Sequence, residues 1–217
     1  MLKKFQCNLT MALLGAALLS GCALTTANLN VAYKPDEGSK SPLSMIKPAV
    51  VQLVVEDKRL PQEQDRVGNK KNGFGAAMAP IKTNEQPSRI LYDALKTEFT
   101  QNGHTVIDTA DGSKPDLVLS VDLQRYWCDA TIHFWDVEVI GTINSSLLLR
   151  TPLNDTVLLS QPQSSTVRES RQVVTESAWE SVLNRALSEY VRSFSRDPNV
   201  LDAMKKAVEA VHGETPE

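Results

Sequence analysis

The run Ala49 to Val55 is apolar and rich in β-branched residues, and it stops at Glu56-Asp57-Lys58-Arg59, the pattern of a strand buried on both faces. After Pro87-Ser88, residues Ile90, Leu91, Ala94, Leu95 and Phe99 recur at helical spacing and end at Asn102-Gly103, which suits a left-handed cap. This predicts an amphipathic helix. His104 to Asp108 reads as a strand, so the order strand, crossover, helix, strand predicts a right-handed connection between parallel neighbours. Beyond a turn at Asp111 to Pro115, Leu117, Leu119, Val121 and Leu123 alternate with Val118, Ser120, Asp122 and Gln124. Val137, Val139, Ile143, Leu147 and Leu149 share a second parity, predicting a strand over about 132–150. Pro152 to Asp155 turns the chain into a strand over Thr156 to Glu169, where Pro162 points to an edge or bulge.

Two helices close the pattern. Ser177-Ala178-Trp179-Glu180 has the form of a capping box, followed by the stripe Trp179, Val182, Leu183, Ala186, Leu187, Tyr190, Val191 and Phe194. Asp197-Pro198 starts a further helix with Val200, Leu201, Met204, Val208 and Val211 inward. The fold class expected is therefore α+β: a mixed, largely antiparallel sheet of about five strands with helices packed on one face. Leu60 to Gln86, with three glycines, two prolines and little periodicity, reads as a long exposed loop.

The N-terminus follows another logic. Lys3 and Lys4 precede an apolar stretch from Leu9 to Leu19, too short for a permanent membrane span, and the stretch ends in Leu19-Ser20-Gly21-Cys22. Those four residues resemble the bacterial lipobox, with Leu19, Ser20 and Gly21 as the signal-peptidase recognition residues and Cys22 as the acylated thiol. Cleavage before Cys22 divides the 217 residues into a signal peptide (1–21), a lipidated cysteine with a flexible tether (22–47), a single α+β periplasmic domain (48–212) and a tail (213–217). Stable anchoring takes more than one acyl chain, at about 0.8 kcal/mol per buried methylene. Because Ala23, not aspartate, follows the cysteine, resemblance to bacterial sorting rules points to the outer membrane, facing the periplasm.

Composition narrows the function classes. With 23 Lys plus Arg against 26 Asp plus Glu, the chain lacks the basic excess of a nucleic-acid binder. Cys7 leaves with the signal and Cys22 takes lipid, so Cys128 is the lone free thiol, expected to be buried in a strand. The three histidines, His104, His133 and His212, fall on unrelated segments, and no nucleophile–base pair is evident. Gly68 to Gly73 has phosphate-loop glycine spacing, but Phe74-Gly75 stands where Lys and Ser or Thr must bind phosphate and magnesium. Asp129, His133, Asp136 and Glu138 are metal-type donors without an open tetrahedral set, and are expected to solvate a hairpin end. No metal, cofactor or catalytic residue is assigned. The segment 126–135 holds two of the three tryptophans, and Tyr126, Trp127, Phe134 and Trp135 either fill the core or form a partner surface. Arg59, Arg66, Lys70 and Lys71 are a weaker candidate, favoured as a solvated loop.

The lipobox, the strand end Val55-Glu56-Asp57-Lys58-Arg59, the loop Val67-Gly68-Asn69 and the helix end Asn102-Gly103-His104-Thr105-Val106 together resemble the YajG-like family of small bacterial envelope lipoproteins. The likeness runs over roughly residues 19–195, in order and spacing. It implies an outer-membrane lipoprotein domain that is not an enzyme, and it carries over no catalytic residue. The expected function is a membrane-anchored, non-enzymatic module for protein interaction or envelope maintenance, with the bilayer as one partner through Cys22 and an envelope protein as another. The alternative is a small-ligand or lipid-binding accessory lipoprotein of an envelope transport system.

Overall fold

The computed structural model describes residues 25–35, 38–72, 74–108, 114–152 and 154–213. In chain order these form β1 (Ala27–Leu29), β2 (Val50–Asp57), β3 (Gly68–Lys71), β4 (Ala77–Thr83), α1 (Pro87–Gln101), β5 (Thr105–Ile107), β6 (Leu117–Ile132), β7 (Val137–Arg150), β8 (Val157–Arg171), α2 (Glu176–Arg196) and α3 (Pro198–His212). All eight strands join one mixed sheet that does not close on itself. The α+β class and the helices on one face follow the expectation; the strand count of eight exceeds the expected five.

The long strand β6 organises the sheet. Along one edge it pairs antiparallel with β7, which pairs antiparallel with β8. Along its other edge it serves two neighbours in turn: β2 runs parallel to its first half, and at Cys128 it meets Gly68 of β3. β5 lies parallel to β2, as the strand–helix–strand order predicts, while β4 and β1 extend the sheet beyond β3. The handover coincides with a bulge between Leu123 and Arg125, which leaves Gln124 without a partner on β7.

That extra residue reverses which parity faces the helices. Before it Leu117, Leu119, Val121 and Leu123 are buried; after it Tyr126 and Cys128 are. Period-2 pattern is therefore lost at Gln124, which is why the sequence shows a strand end and a nearby turn where β6 in fact runs on for eight more residues.

The three strands absent from the sequence reading lie in segments expected to be irregular. β3 and β4 occupy the presumed loop Leu60–Gln86; with four and seven residues, two of them lysine in β3 and a proline in β4, they carry too little alternation to register. β1 lies inside the segment 22–47 expected to be a tether, yet Ala27, Leu29, Val31 and Leu43 are buried. Two residues of α2 hold this stretch down. Glu180 Oε2 accepts from the Asn30 N–H at 2.9 Å, and Asn184 Oδ1 from the Ala32 N–H at 3.0 Å. Glu180 is thus not half of a capping box: α2 starts after Thr175, and Ser177 already lies in the helix.

The stripe on α2 packs as its spacing requires. Val182, Leu183, Ala186, Leu187, Tyr190, Val191 and Phe194 are fully buried, the Val, Leu and Phe side chains worth about 2 kcal/mol each in transfer free energy. α1 adds Leu91, Leu95 and Phe99, whose ring meets Phe194 edge-on at 5.7 Å, and α3 adds Val200, Met204 and Ala207. Asp197 caps α3 as expected, accepting from the Asn199 N–H, and Gly103 takes a φ of +91° after α1. Ser145 and Tyr190 hydroxyls meet at 2.5 Å inside the helix–sheet interface. The opposite sheet face carries Gln52, Ser120, Asp122, Thr142, Asn144 and Ser146 and, among the described residues, has no α-helix over it.

Candidate functional site

The exposed aromatic residues gather at one end of the sheet, because three connections turn there. β6 and β7 are joined through His133 to Asp136, closed by the His133 N–H donating to the Asp136 carbonyl at 2.8 Å. Phe134 and Trp135 occupy the two central positions, where polar or glycine residues are usual, and are 88% and 86% exposed. Their rings meet edge-on at 4.6 Å. The β3–β4 connection is built on Asn72, whose Oδ1 accepts from the N–H groups of Phe74 and Ala76, both at 3.0 Å. Gly75, at φ +82°, completes the turn and leaves Phe74 98% exposed. β3 runs parallel to β6, and Lys71 Nζ pairs with Asp129 at 2.5 Å, so the two tips lie side by side. Val173, in the β8–α2 connection, and Ile132 are also exposed at this end.

The four aromatic residues singled out from the sequence therefore separate. Tyr126 is not surface at all: the bulge turns it into the core, fully buried, with its ionisation pushed far up by burial and its hydroxyl unpaired. Trp127 is half-buried on the uncovered face, its ring 5.8 Å from the Arg125 guanidinium. Phe134 and Trp135 stay exposed, joined by Phe74, which the sequence reading passed over. An aromatic residue amid Asn and Gly in a turn was the available signal.

Other candidates have structural work. Cys128 is buried in β6, as expected of the lone thiol, and burial pushes its ionisation up, so it stays protonated and unreactive. Asp129 pairs with Lys71, Glu138 with Arg168 at 3.1 Å, and Asp136 accepts from the Ser170 hydroxyl. Among the described residues no group of three or more metal-type donors is assembled. Gly68 lies in strand β3, where a Cβ would come within 2.5 Å of the Cys128 carbonyl oxygen; close strand approach, not phosphate, requires the glycine. Leu19, Ser20, Gly21 and Cys22 lie outside the described residues, as do 111–113 of the expected turn and 214–217 of the tail. No helix among the described residues is long and apolar enough to cross a membrane.

The basic loop is corrected in part. Arg59 is no solvated side chain: all five of its donors are used inside the fold. Lys70 is also buried, with its ammonium 3.3 Å from Glu176 and 6.0 Å from the centre of the Trp179 ring.

His104 is buried beneath the segment 43–49. Its Nδ1 accepts from the Ala49 N–H at 3.3 Å, which leaves Nε2–H to donate to the Leu43 carbonyl at 3.1 Å. The Ala49 bond needs the neutral ring, whereas the Leu43 bond is donated in either protonation state. Burial, outweighing the Leu43 bond, lowers its pKa from 6.5. The unfolded chain then binds the proton more readily, so this contribution is complete above the unfolded value of 6.5 and is lost as pH falls through it. Between about pH 7.5 and 5.5, thermal melts of the wild type should fall by up to about 1.4 kcal/mol per pH unit below the unfolded pKa. H104N keeps an acceptor for Ala49 and should show a flatter acid limb; an equal slope in both would remove His104 as the cause.

The fold and its exposed end define an α+β domain that presents apolar rings at one end of its sheet. The family described as uncharacterized lipoprotein matches residues 42–205, about three quarters of the chain, and the chain belongs to that family, as the YajG-like resemblance implies. Its description names no activity. A solved Xanthomonas campestris protein shares the fold, at 14% identity and a TM-score of 0.59, over 84% of this chain and 98% of that one. A minor lipoprotein from Acinetobacter baumannii is a more distant likeness, 15% identical over 69% of this chain and 92% of its own, with a TM-score of 0.36. No curated protein matches the chain.

Proposed function

We propose that this chain is a lipid-anchored envelope protein of bacteria, acylated at Cys22, whose α+β domain faces the periplasm from the outer membrane and works by contact, not by catalysis. The observation that carries this reading is the lipobox Leu19-Ser20-Gly21-Cys22 in a chain that belongs to a lipoprotein family. The arrangement of polar groups supports the non-enzymatic part: His104, Arg59 and Cys128 are buried in structural roles, while the exposed end carries Phe74, Phe134 and Trp135. A role in protein interaction or envelope maintenance fits such a surface. The ligand-carrier alternative has less support, since Phe99, Leu187, Tyr190 and Phe194 fill the helix–sheet interface where an apolar ligand would have to sit.

Metabolic labelling with palmitate tests the anchor. The wild type should take up label and fractionate with membranes, whereas C22S should be unlabelled and lose its membrane association. An unlabelled wild type whose fractionation C22S leaves unchanged would overturn the reading.

A further inference from the structure

We infer that the hairpin end is a membrane-contact surface: Phe74, Phe134 and Trp135 rest in the interfacial zone of the same leaflet that holds the acyl chains of Cys22. The inference rests on the lipid-anchored reading above and adds an orientation to it. Strand directions carry the argument. β1 runs parallel to β4, with Ala27 level with Ile81, and β4 runs antiparallel to β3, leading away from the Phe74 turn. Followed backwards from Leu29 to Ala27, β1 therefore points towards the end of the sheet that carries the β3–β4 turn. Ala27, Ile81, Gly68 and Cys128 stand at one level of the sheet.

Distances then match. From the level of Cys128, β6 and its turn reach Phe134 in six residues, about 20 Å at strand rise. Cys22 lies five residues before Ala27, a reach of at most about 17 Å. Five residues are thus long enough for Cys22 to reach the level of the aromatic tips, and too short for its leaflet to lie far from Ala27. A tether spanning 22–47 would have let the domain drift from the bilayer; burial of Ala27 and Leu29 removes that slack.

Side-chain chemistry selects lipid as the occupant. Indole and phenyl rings concentrate at membrane–water interfaces, and three of them at turn tips form a point of entry, not a groove for a peptide. The charged groups around the tips are mostly paired within the protein: Lys71 with Asp129, Lys70 with Glu176, Arg168 with Glu138, and Arg171 and Arg185 with Glu169, while Asp136, bonded to Ser170, makes the carboxylates five against five cations. No excess of one sign opposes approach to a phospholipid surface. Once Cys22 is anchored, tip insertion is intramolecular and proceeds at high effective concentration, so a weak apolar contact is enough.

The test uses the full-length acylated protein, purified in detergent and reconstituted into phosphatidylethanolamine–phosphatidylglycerol vesicles whose acyl chains carry bromine. Trp135 is the exposed member of the three tryptophans, Trp179 being buried and Trp127 half-buried. Bromine should quench the wild-type fluorescence, and W135F, a substitution at an exposed position, should lose most of that quenching; F74S with F134S should weaken it. A protein that floats with the vesicles yet shows no quenching dependent on Trp135 overturns the orientation and leaves the anchor standing. A protein that neither floats nor carries acyl mass on Cys22 overturns the anchor, and the orientation with it. Crosslinking of position 135 to an envelope protein in cells, without quenching in vesicles, would assign the tips to that protein and overturn the lipid assignment.

Discussion

R59A should destabilise the domain by about 3–5 kcal/mol, the range expected when one partner of a buried ion pair is removed. The Arg59 side chain is fully buried and faces Asp57 two-pronged, Nε to Oδ1 at 2.9 Å and Nη2 to Oδ2 at 2.8 Å. Its remaining donors bind the backbone carbonyls of Glu63, Arg66 and Gln64 at 3.0, 2.9 and 3.1 Å. The guanidinium thus replaces a strand. β2 separates from β6 after Leu123, β3 joins at Cys128, and the chain from 58 to 67 that bridges the gap is wound around this one group. Truncation removes the guanidinium from Asp57, which keeps only the Arg59 backbone N–H, and takes the side-chain donors from the carbonyls of Gln64, Arg66 and Glu63, of which Glu63 still accepts from the Arg66 N–H at 3.2 Å. R59K should recover little, since an ammonium cannot match a planar fork with five donors. Urea unfolding is the measurement: a lower midpoint at unchanged slope is the expected result, and a shift under about 1 kcal/mol would show that water replaces the bonds.

G141A should also destabilise the domain, by about 1–2 kcal/mol net. Alanine in place of glycine within a strand ordinarily gains about 0.5–1 kcal/mol, so the sign depends on space. Here a Cβ would stand 2.6 Å from Val182 Cγ1 and 2.9 Å from the Val182 carbonyl oxygen. The methyl group can move aside, but the carbonyl belongs to the backbone of α2, a helix of 21 residues fixed by its whole buried stripe. Overpacking against such a wall costs about 1–3 kcal/mol and outweighs the propensity gain. Adding V182A to G141A relieves the side-chain contact and not the carbonyl contact, so it should restore part of the loss. Full restoration would locate the clash in the valine side chain alone.

Legibility in the sequence followed the length of each pattern. α1, α2 and α3 are long enough for the apolar stripe to repeat, and β7 and β8 for alternation to be read, so these appear close to their observed limits. β1 and β3 are three and four residues long and are stabilised by what lies beside them, which a local pattern cannot contain. The bulge at Gln124 hid the second half of β6 and with it the opposite fates of Tyr126 and Trp127. Arg59 illustrates the same limit in chemistry, since a basic residue among polar neighbours looks solvated until the chain folds over it. Phe134 and Trp135 were visible as candidates because nothing tertiary intervenes at a turn tip; Phe74 was equally exposed and lacked only a second aromatic beside it.

The outermost strand bears on how such molecules coexist when crowded. Among the described residues, the fifteen residues of β8 pair with no strand but β7, which leaves a ribbon edge of the kind that recruits other chains. Proteins confined to a two-dimensional layer meet edge to edge far more often than in free solution. Pro162 removes a donor midway along that ribbon, and exposed Arg168 and Arg171 place charge near its end, and both features interrupt a continuous zipper between neighbouring edges.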